Sequence, residues 1–178
     1  PKLLNNPYPN RDLTGVGVAF KLAHAITNQL TADGKLQNKK IDLKRLLDLV
    51  ALGTIADMGS LLDENRILVR YGLRQLRRNK RLGLAKLMSV CDLESGELST
   101  FDVASKIAPR LNSLGRIDDP QKGVELLLLK NAAAAEDLAL ELDLNNIERQ
   151  KIERAMFVDV ENIIQKDPDI LKHKSIVL

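Results

Sequence analysis

Aromatic residues make up only 3% of the 178 positions, and tryptophan is absent. Aromatic and β-branched side chains suit a pleated, half-buried surface. Here leucine and alanine dominate instead, which suits packed helices better than a β-sandwich. Cysteine occurs once, as Cys91. No internal disulfide framework can form, and a reducing compartment is expected. No apolar run approaches the roughly 20 residues that a bilayer-spanning helix needs. No stretch near the start has the basic-then-apolar form of a secretory signal. These absences lead to the expectation of a cytoplasmic protein without a membrane partner. The two histidines, His24 and His173, have no ligand at zinc spacing. Cys91 has no nearby histidine that would make it a nucleophile. Gly15-Val16-Gly17 lacks the Lys-Ser/Thr ending of a phosphate-binding loop.

What is present is a globular composition, 44% hydrophobic and 29% charged, with a net charge of +3. Mild basicity permits a polyanionic partner without requiring one. The length suffices for one domain with a sizeable core, or for one domain and part of another. The chain opens on Pro1 and closes on Ser175-Ile176-Val177-Leu178. That closing run reads as a strand without a partner, so a fragment is expected.

Helix signals dominate the chain. Thr14 is placed to cap a helix with Val18, Leu22, Ala25 and Ile26 on one face. Asp42 precedes a segment, Leu43 to Ile55, that is apolar on most of its circumference and is expected to be buried on several sides. Asp63 or Asn65 starts a further helix to about Arg78. A short helix is expected over 84–90, and another, capped by Ser99 or Thr100, ending near Pro109. Asp119-Pro120 is a cap followed by proline at a helix start. The stretch 131–166 has no glycine or proline. If continuous it makes a helix of roughly 50 Å, with Ile152, Met156, Val160 and Ile163 as one stripe and Asn145-Asn146 as its weak point.

Four constellations are candidates for chemistry. Ala51-Leu52-Gly53-Thr54-Ile55-Ala56-Asp57 ends an apolar helix on a carboxylate. Such a group is expensive to bury unless paired or bound to a metal. Asp57 is therefore either a ligand for a hard cation or a terminal aspartate turned to solvent. Pro109-Arg110-Leu111-Asn112-Ser113-Leu114-Gly115-Arg116 reads as a loop turning at Gly115. Arg110, Asn112 and Arg116 would clamp phosphate oxygens, or else the arginines pair with Asp118 and Asp119. Arg66, Arg70, Arg74 and Arg77 or Arg78 recur at helical spacing, as a track for a nucleic-acid backbone or as a solvated helix face. The stripe is read as having no interleaved aromatic, so base stacking is not expected there. Asp118-Asp119 is read as a cap and its neighbour rather than a catalytic pair.

These pieces occur in one order. Gly15 to Ala23, Leu47 to Asp57, Glu64 to Leu73 and Ile107 to Asp119, followed by an apolar helix and a long Glu- and Arg-rich helix, resemble the RecJ-type exonucleases of the DHH phosphoesterase superfamily. The resemblance covers nearly the whole chain. It implies an α/β parent fold, of which this piece is predominantly α-helical: residues 1–130 from the DHH domain, 131–167 as a long interdomain helix, and 168–178 as the first strand of a DHH-associated domain. It implies 5′ to 3′ hydrolysis of single-stranded DNA in repair and recombination with Mn2+ or Mg2+. By the same resemblance Asp57 is one metal and catalytic ligand, and Arg110, Asn112 and Arg116 contact phosphate. The chain departs from the family pattern at Met58-Gly59-Ser60, where a proline is usual, and at Asn112-Ser113-Leu114-Gly115, where Asn-Ala-Ala-Gly is usual. The segments that name the superfamily are not present, so this piece alone is expected to be inactive. Two other classes stay open: a DHH phosphodiesterase of short oligoribonucleotides or cyclic dinucleotides, and a non-catalytic helical module that binds nucleic acid. Repair proteins as partners are left unspecified.

Overall fold

The computed structural model describes residues 5, 7–36, 41–78, 81–117 and 121–172, with the side chains of 114–117 excepted. Among the described residues all regular structure is helical and no strand occurs. The expected strand at 175–178, the Asp118-Asp119 pair, Pro120 and His173 lie outside the described residues.

α1 (Gly15–Ala32) begins after an extended Thr14. The expected hydroxyl cap does not form. Thr14 Oγ1 instead lies 2.9 Å from Thr54 Oγ1 in a buried hydrogen bond, which ties the start of α1 to the second helix. A 3-10 turn, Leu43–Leu46, is capped by Asp42, whose carboxylate accepts from the Lys44 amide at 3.2 Å. It leads into α2 (Leu47–Ala56), buried along Leu47, Val50, Ala51, Leu52 and Ile55. α3 (Asp63–Arg77) packs on α2. At the crossing, a Cβ on Gly72 would stand 2.2 Å from the Leu47 carbonyl oxygen and 2.4 Å from Ala51 Cβ. The two backbones can meet that closely only where no side chain intervenes.

α4 (Leu82–Val90) follows. Ser99 and Asp102 then form a reciprocal capping box, each side chain accepting from the other's amide, at 3.1 and 3.0 Å. The short α5 (Thr100–Asp102) runs through a π turn (Val103–Ile107) into α6 (Ala108–Ile117). The expected stop near Pro109 and the loop beyond it are therefore replaced by helix. A regular α-helix would drive the Pro109 ring into the carbonyl four residues back. The π turn widens the backbone just before it, with the Ala108 amide bonding back to the Val103 oxygen.

α7 (Gln121–Leu128) and α8 (Ala132–Lys166) complete the body, with a final 3-10 turn, Pro168–Lys172. α8 is continuous, as its composition predicts, and its cap is Asn131, which accepts from the Ala134 amide at 3.1 Å. Its first half packs on α4 and α6 through Ala135, Ala139, Leu142 and Asn146. The two alanines at i, i+4 spacing let the backbones approach. Its second half turns Ile152, Met156, Phe157 and Ile163 to solvent. The core is a single cluster of α2, α3, α4, the π turn, α7 and the first half of α8, centred on Leu76, Leu84, Leu87, Ile107, Leu126 and Leu142.

The apolar segment expected to be buried on several sides is buried, along Leu47, Val50, Ala51, Leu52 and Ile55 of α2. Like the second half of α8, the apolar face read on α1 is bare: Val18, Leu22 and Ile26 are 37%, 60% and 50% exposed.

Candidate functional site

Asp57 is held by the way α2 stops. The Gly59 amide bonds to the Thr54 oxygen at 2.9 Å and the Met58 amide to the Ile55 oxygen at 3.0 Å. Met58 takes the left-handed conformation, φ 51°. This is a Schellman ending with methionine in the position that usually holds glycine. Gly59 sits against the fold: a Cβ there would lie 2.4 Å from the Thr14 side chain and 3.1 Å from the Thr54 oxygen. The buried Thr14–Thr54 bond and the Gly59 contact thus clamp the backbone on both sides of Asp57. Its carboxylate is exposed. Among the described residues it has no hydrogen-bond or ion-pair partner.

Burial therefore does not single out Asp57. It singles out Asp48, in the first turn of the same helix, which is 6% exposed. Arg81 Nε donates to Asp48 Oδ2 at 2.9 Å and Arg81 Nη1 donates to the Leu127 oxygen at 3.2 Å. The Leu49 amide bonds to Asp48 Oδ1 at 2.7 Å. Asp48 is a structural anchor joining α2 to α4 and α7. The signal was in plain view, a charge inside Leu47-Asp48-Leu49-Val50, but its partner is 33 residues away.

Near the Asp57 end, Tyr8 Oη donates to Glu64 Oε2 at 2.7 Å, and Lys21 Nζ donates to Glu64 Oε1. The Lys21 hydrogen bond holds the Glu64 carboxyl below its usual range, and the same bond raises Lys21. Burial and then the Glu64 bond push the Tyr8 hydroxyl up. The cluster ties the N-terminal segment and α1 to the first turn of α3.

Arg110 projects from α6 onto α8. Its Nε donates to Asp143 Oδ1 at 2.8 Å, its Nη2 lies 2.8 Å from the same oxygen, and Nη1 donates to the Lys106 oxygen at 2.7 Å. These contacts engage three of the five guanidinium donors; the alternative partners, Asp118 and Asp119, lie outside the described residues. Asn112 is exposed on α6, whereas Ser113 is buried, its hydroxyl bonding to the Arg110 oxygen at 2.7 Å. The Arg116 side chain lies outside the described residues. Cys91 is buried, its Sγ 3.7 Å from the Lys106 oxygen, and burial raises its thiol pKa, so it stays an inert thiol.

The α3 stripe is intact. Arg66, Arg70, Arg74 and Arg77 are exposed and line one groove. Tyr71 belongs to the same surface: it is 51% exposed, with the Arg74 guanidinium 5.4 Å over its ring. The expectation of a stripe without aromatics is corrected by that residue. It lies between Arg70 and Arg74 in the sequence.

Among the described residues no group of three or more His, Cys, Asp or Glu side chains is placed to hold a metal, and no helix is long and apolar enough to cross a membrane. Asp57 fits a divalent cation as one donor: a hard oxygen ligand, unpaired, at the negative end of a helix dipole.

Protein-family models yield no match to this chain. Among curated proteins it is similar to the single-stranded-DNA-specific exonuclease RecJ of Bacillus subtilis, 44% identical over 152 residues, which is 85% of this chain and 18% of that protein. Among solved structures it is similar to RecJ from Thermus thermophilus in complex with Mn2+, at 34% identity and a TM-score of 0.78, covering 93% of this chain and 24% of that one. The complex of the same protein with Mg2+ matches with a TM-score of 0.75, at 34% identity, over 88% of this chain and 23% of that one. The chain spans less than a third of the length of the curated relatives it matches.

Proposed function

The chain is homologous to the RecJ single-stranded-DNA-specific exonucleases, and from that premise we propose that it is part of a metal-dependent nuclease hydrolysing single-stranded DNA from the 5′ end. The observation that supports this beyond likeness is the state of Asp57. An uncompensated carboxylate at a helix C-terminus faces the dipole's negative end and is mildly unfavourable, by about 0.3–1 kcal/mol. The chain nevertheless holds it in place with a strained methionine and a tightly packed glycine. A bound cation offsets that charge.

In this reading Asp57 is one ligand of a Mn2+ or Mg2+ site whose other ligands are not among the described residues. Such an ion supplies an activated water and charge neutralisation for phosphodiester hydrolysis. One carboxylate is too few to hold divalent ions, so the 178 residues alone bind metal weakly and do not hydrolyse DNA. Arg110 is a positioning residue as well as a phosphate contact: its bonds to Asp143 set α6 against α8, leaving two N–H donors for an oxygen. Asn112 offers an exposed amide to the same strand, and Arg116 a second guanidinium.

The test is manganese-dependent release of nucleotides from 5′-labelled single-stranded DNA, using the longest reading frame that encloses this chain, with duplex DNA and a short RNA as controls. Asp57→Ala is expected to lower release by about a hundredfold or more with unchanged helical content. Preference for the RNA would replace this reading with an oligoribonuclease, and undiminished activity in Asp57→Ala would remove Asp57 from the site.

A further inference from the structure

Several cations of this fold are each matched to a carboxylate. Arg81 pairs with Asp48, Arg110 with Asp143, Lys21 with Glu64, Lys86 with Glu136 and Arg149 with Glu153. The face of α3 is different. Arg66, Arg70, Arg74 and Arg77 are exposed, and among the described residues no ion pair involves any of them. At 3.6 residues per turn the four fall within roughly a quarter of the helix circumference. They border a groove of about 440 Å³ lined also by Val69, Leu73, Leu98 and Thr100. A single acid, Glu97, lines it.

We propose that this face holds the sugar-phosphate backbone of a single nucleic-acid strand, with Tyr71 as a stacking platform at its edge. The identity of the strand as DNA rests on the exonuclease reading; the existence of the face does not. Charge complementarity selects the occupant. Four guanidiniums in a row, each a planar fork matched to phosphate oxygens, suit a regularly spaced polyanion. Successive arginines four residues apart advance about 6 Å along the axis, a step suited to an extended strand rather than to stacked bases at about 3.4 Å. Tyr71 is half-exposed with a guanidinium already over its ring, and such an aromatic accepts any base on its other face.

Position adds a reason for the site. α3 begins six residues after Asp57 and lies against α2 at the Gly72 crossing. The stripe begins nine residues after the proposed ligand, with Arg66 in the first turns of α3, and extends about 16 Å along the helix. A nuclease that removes terminal nucleotides needs a grip on the strand away from the reacting end, and in the proposed reading this face supplies it.

The experiment titrates the 178-residue chain into fluorescein-labelled oligothymidylate by anisotropy, over a range of NaCl, in EDTA so that binding is read without hydrolysis. The expected slope of log affinity on log salt is about −2 to −3, for three or four phosphates at about 0.7 each. Arg70→Glu with Arg74→Glu is expected to weaken binding by about tenfold or more and flatten the slope by about 1.4. Arg70→Gln with Arg74→Gln repeats the test should the first pair lose helicity by circular dichroism. Tyr71→Ala weakens binding with the slope unchanged. Lys151→Glu with Arg154→Glu, an equal charge change on the far half of α8, leaves binding within about twofold. The proposal is overturned if the unmodified chain does not bind, if the α3 and α8 pairs weaken binding equally, or if polyglutamate displaces the oligonucleotide at equal charge, which would make the groove a site for acidic peptide. Binding that passes these tests, in a longer protein that hydrolyses nothing, would sink the exonuclease reading and leave this face standing.

Discussion

The two ends of α2 carry one aspartate each, and the chain treats them in opposite ways. Asp48, in the first turn, is buried against Arg81 and bonded to the Leu49 amide. It lies at the end of the helix where the dipole favours a negative charge. Asp57, at the last turn, is exposed and lies where the dipole opposes it. Around Asp48 the Arg81 pair, the Leu49 amide and the helix dipole offset the cost of burying the charge. Around Asp57 the backbone is fixed with care while the carboxylate is left without a partner. A charge that the fold satisfies is structural. A charge that the fold positions and then leaves unsatisfied is available to something outside it.

The sharpest way to break that contrast is to remove the buried partner. Asp48→Ala leaves the Arg81 guanidinium largely buried and short of its anion, and should destabilise the chain by about 3 kcal/mol or more, read as a fall in the urea midpoint. A change of less than about 1 kcal/mol would show the pair to be an ordinary surface contact.

The Glu64 cluster near the Asp57 end is half-exposed, with about a third of each charged side chain open to solvent, and its effect is correspondingly smaller. Lys21 and Tyr8 hold the Glu64 carboxyl below the ordinary 4.5. A lowered carboxyl contributes stability that is present above pH 4.5 and is lost as pH falls through the folded value. Glu64→Gln should therefore be less stable than the unmodified chain by about 1 kcal/mol at neutral pH. That gap should close as the pH falls through the lowered folded value, and a gap independent of pH would contradict the assignment. The smallest effect belongs to Asp57→Asn. Removing a negative charge from the helix C-terminus should raise stability by a few tenths of a kcal/mol. Destabilisation in that variant would mean that the carboxylate has a partner within the fold.

Much of the architecture was legible before the structure. The α3 boundaries, the Ser99 cap and the continuity of α8 follow from caps, periodicity and the absence of glycine and proline, all local signals. The join of α5 to α6 was not legible, because proline ordinarily ends a helix and only the π turn lets it pass. At the site, Asp57 was found from its place at the end of an apolar helix, but for a reason that suits Asp48 better. Arg110 was read as a phosphate clamp or as a partner of Asp118 and Asp119, because Asp143, 33 residues on, has no local sign of pointing at it. Tyr71 was overlooked although it lies inside the stripe.

The sequence by itself determined the helical elements, the membership implied by the order of its segments, and the spacing of the α3 arginines. Those depend on neighbours within a few residues, where propensity, capping and periodicity act. Only the tertiary structure decided which charges are spent on the fold. Asp48, Arg110 and Glu64 are bonded to partners 33 or more residues away, whereas Asp57 and the arginines of α3 are left to solvent. Burial and pairing are settled by how helices pack, and no local pattern in the chain encodes which side of a helix its distant neighbours will cover.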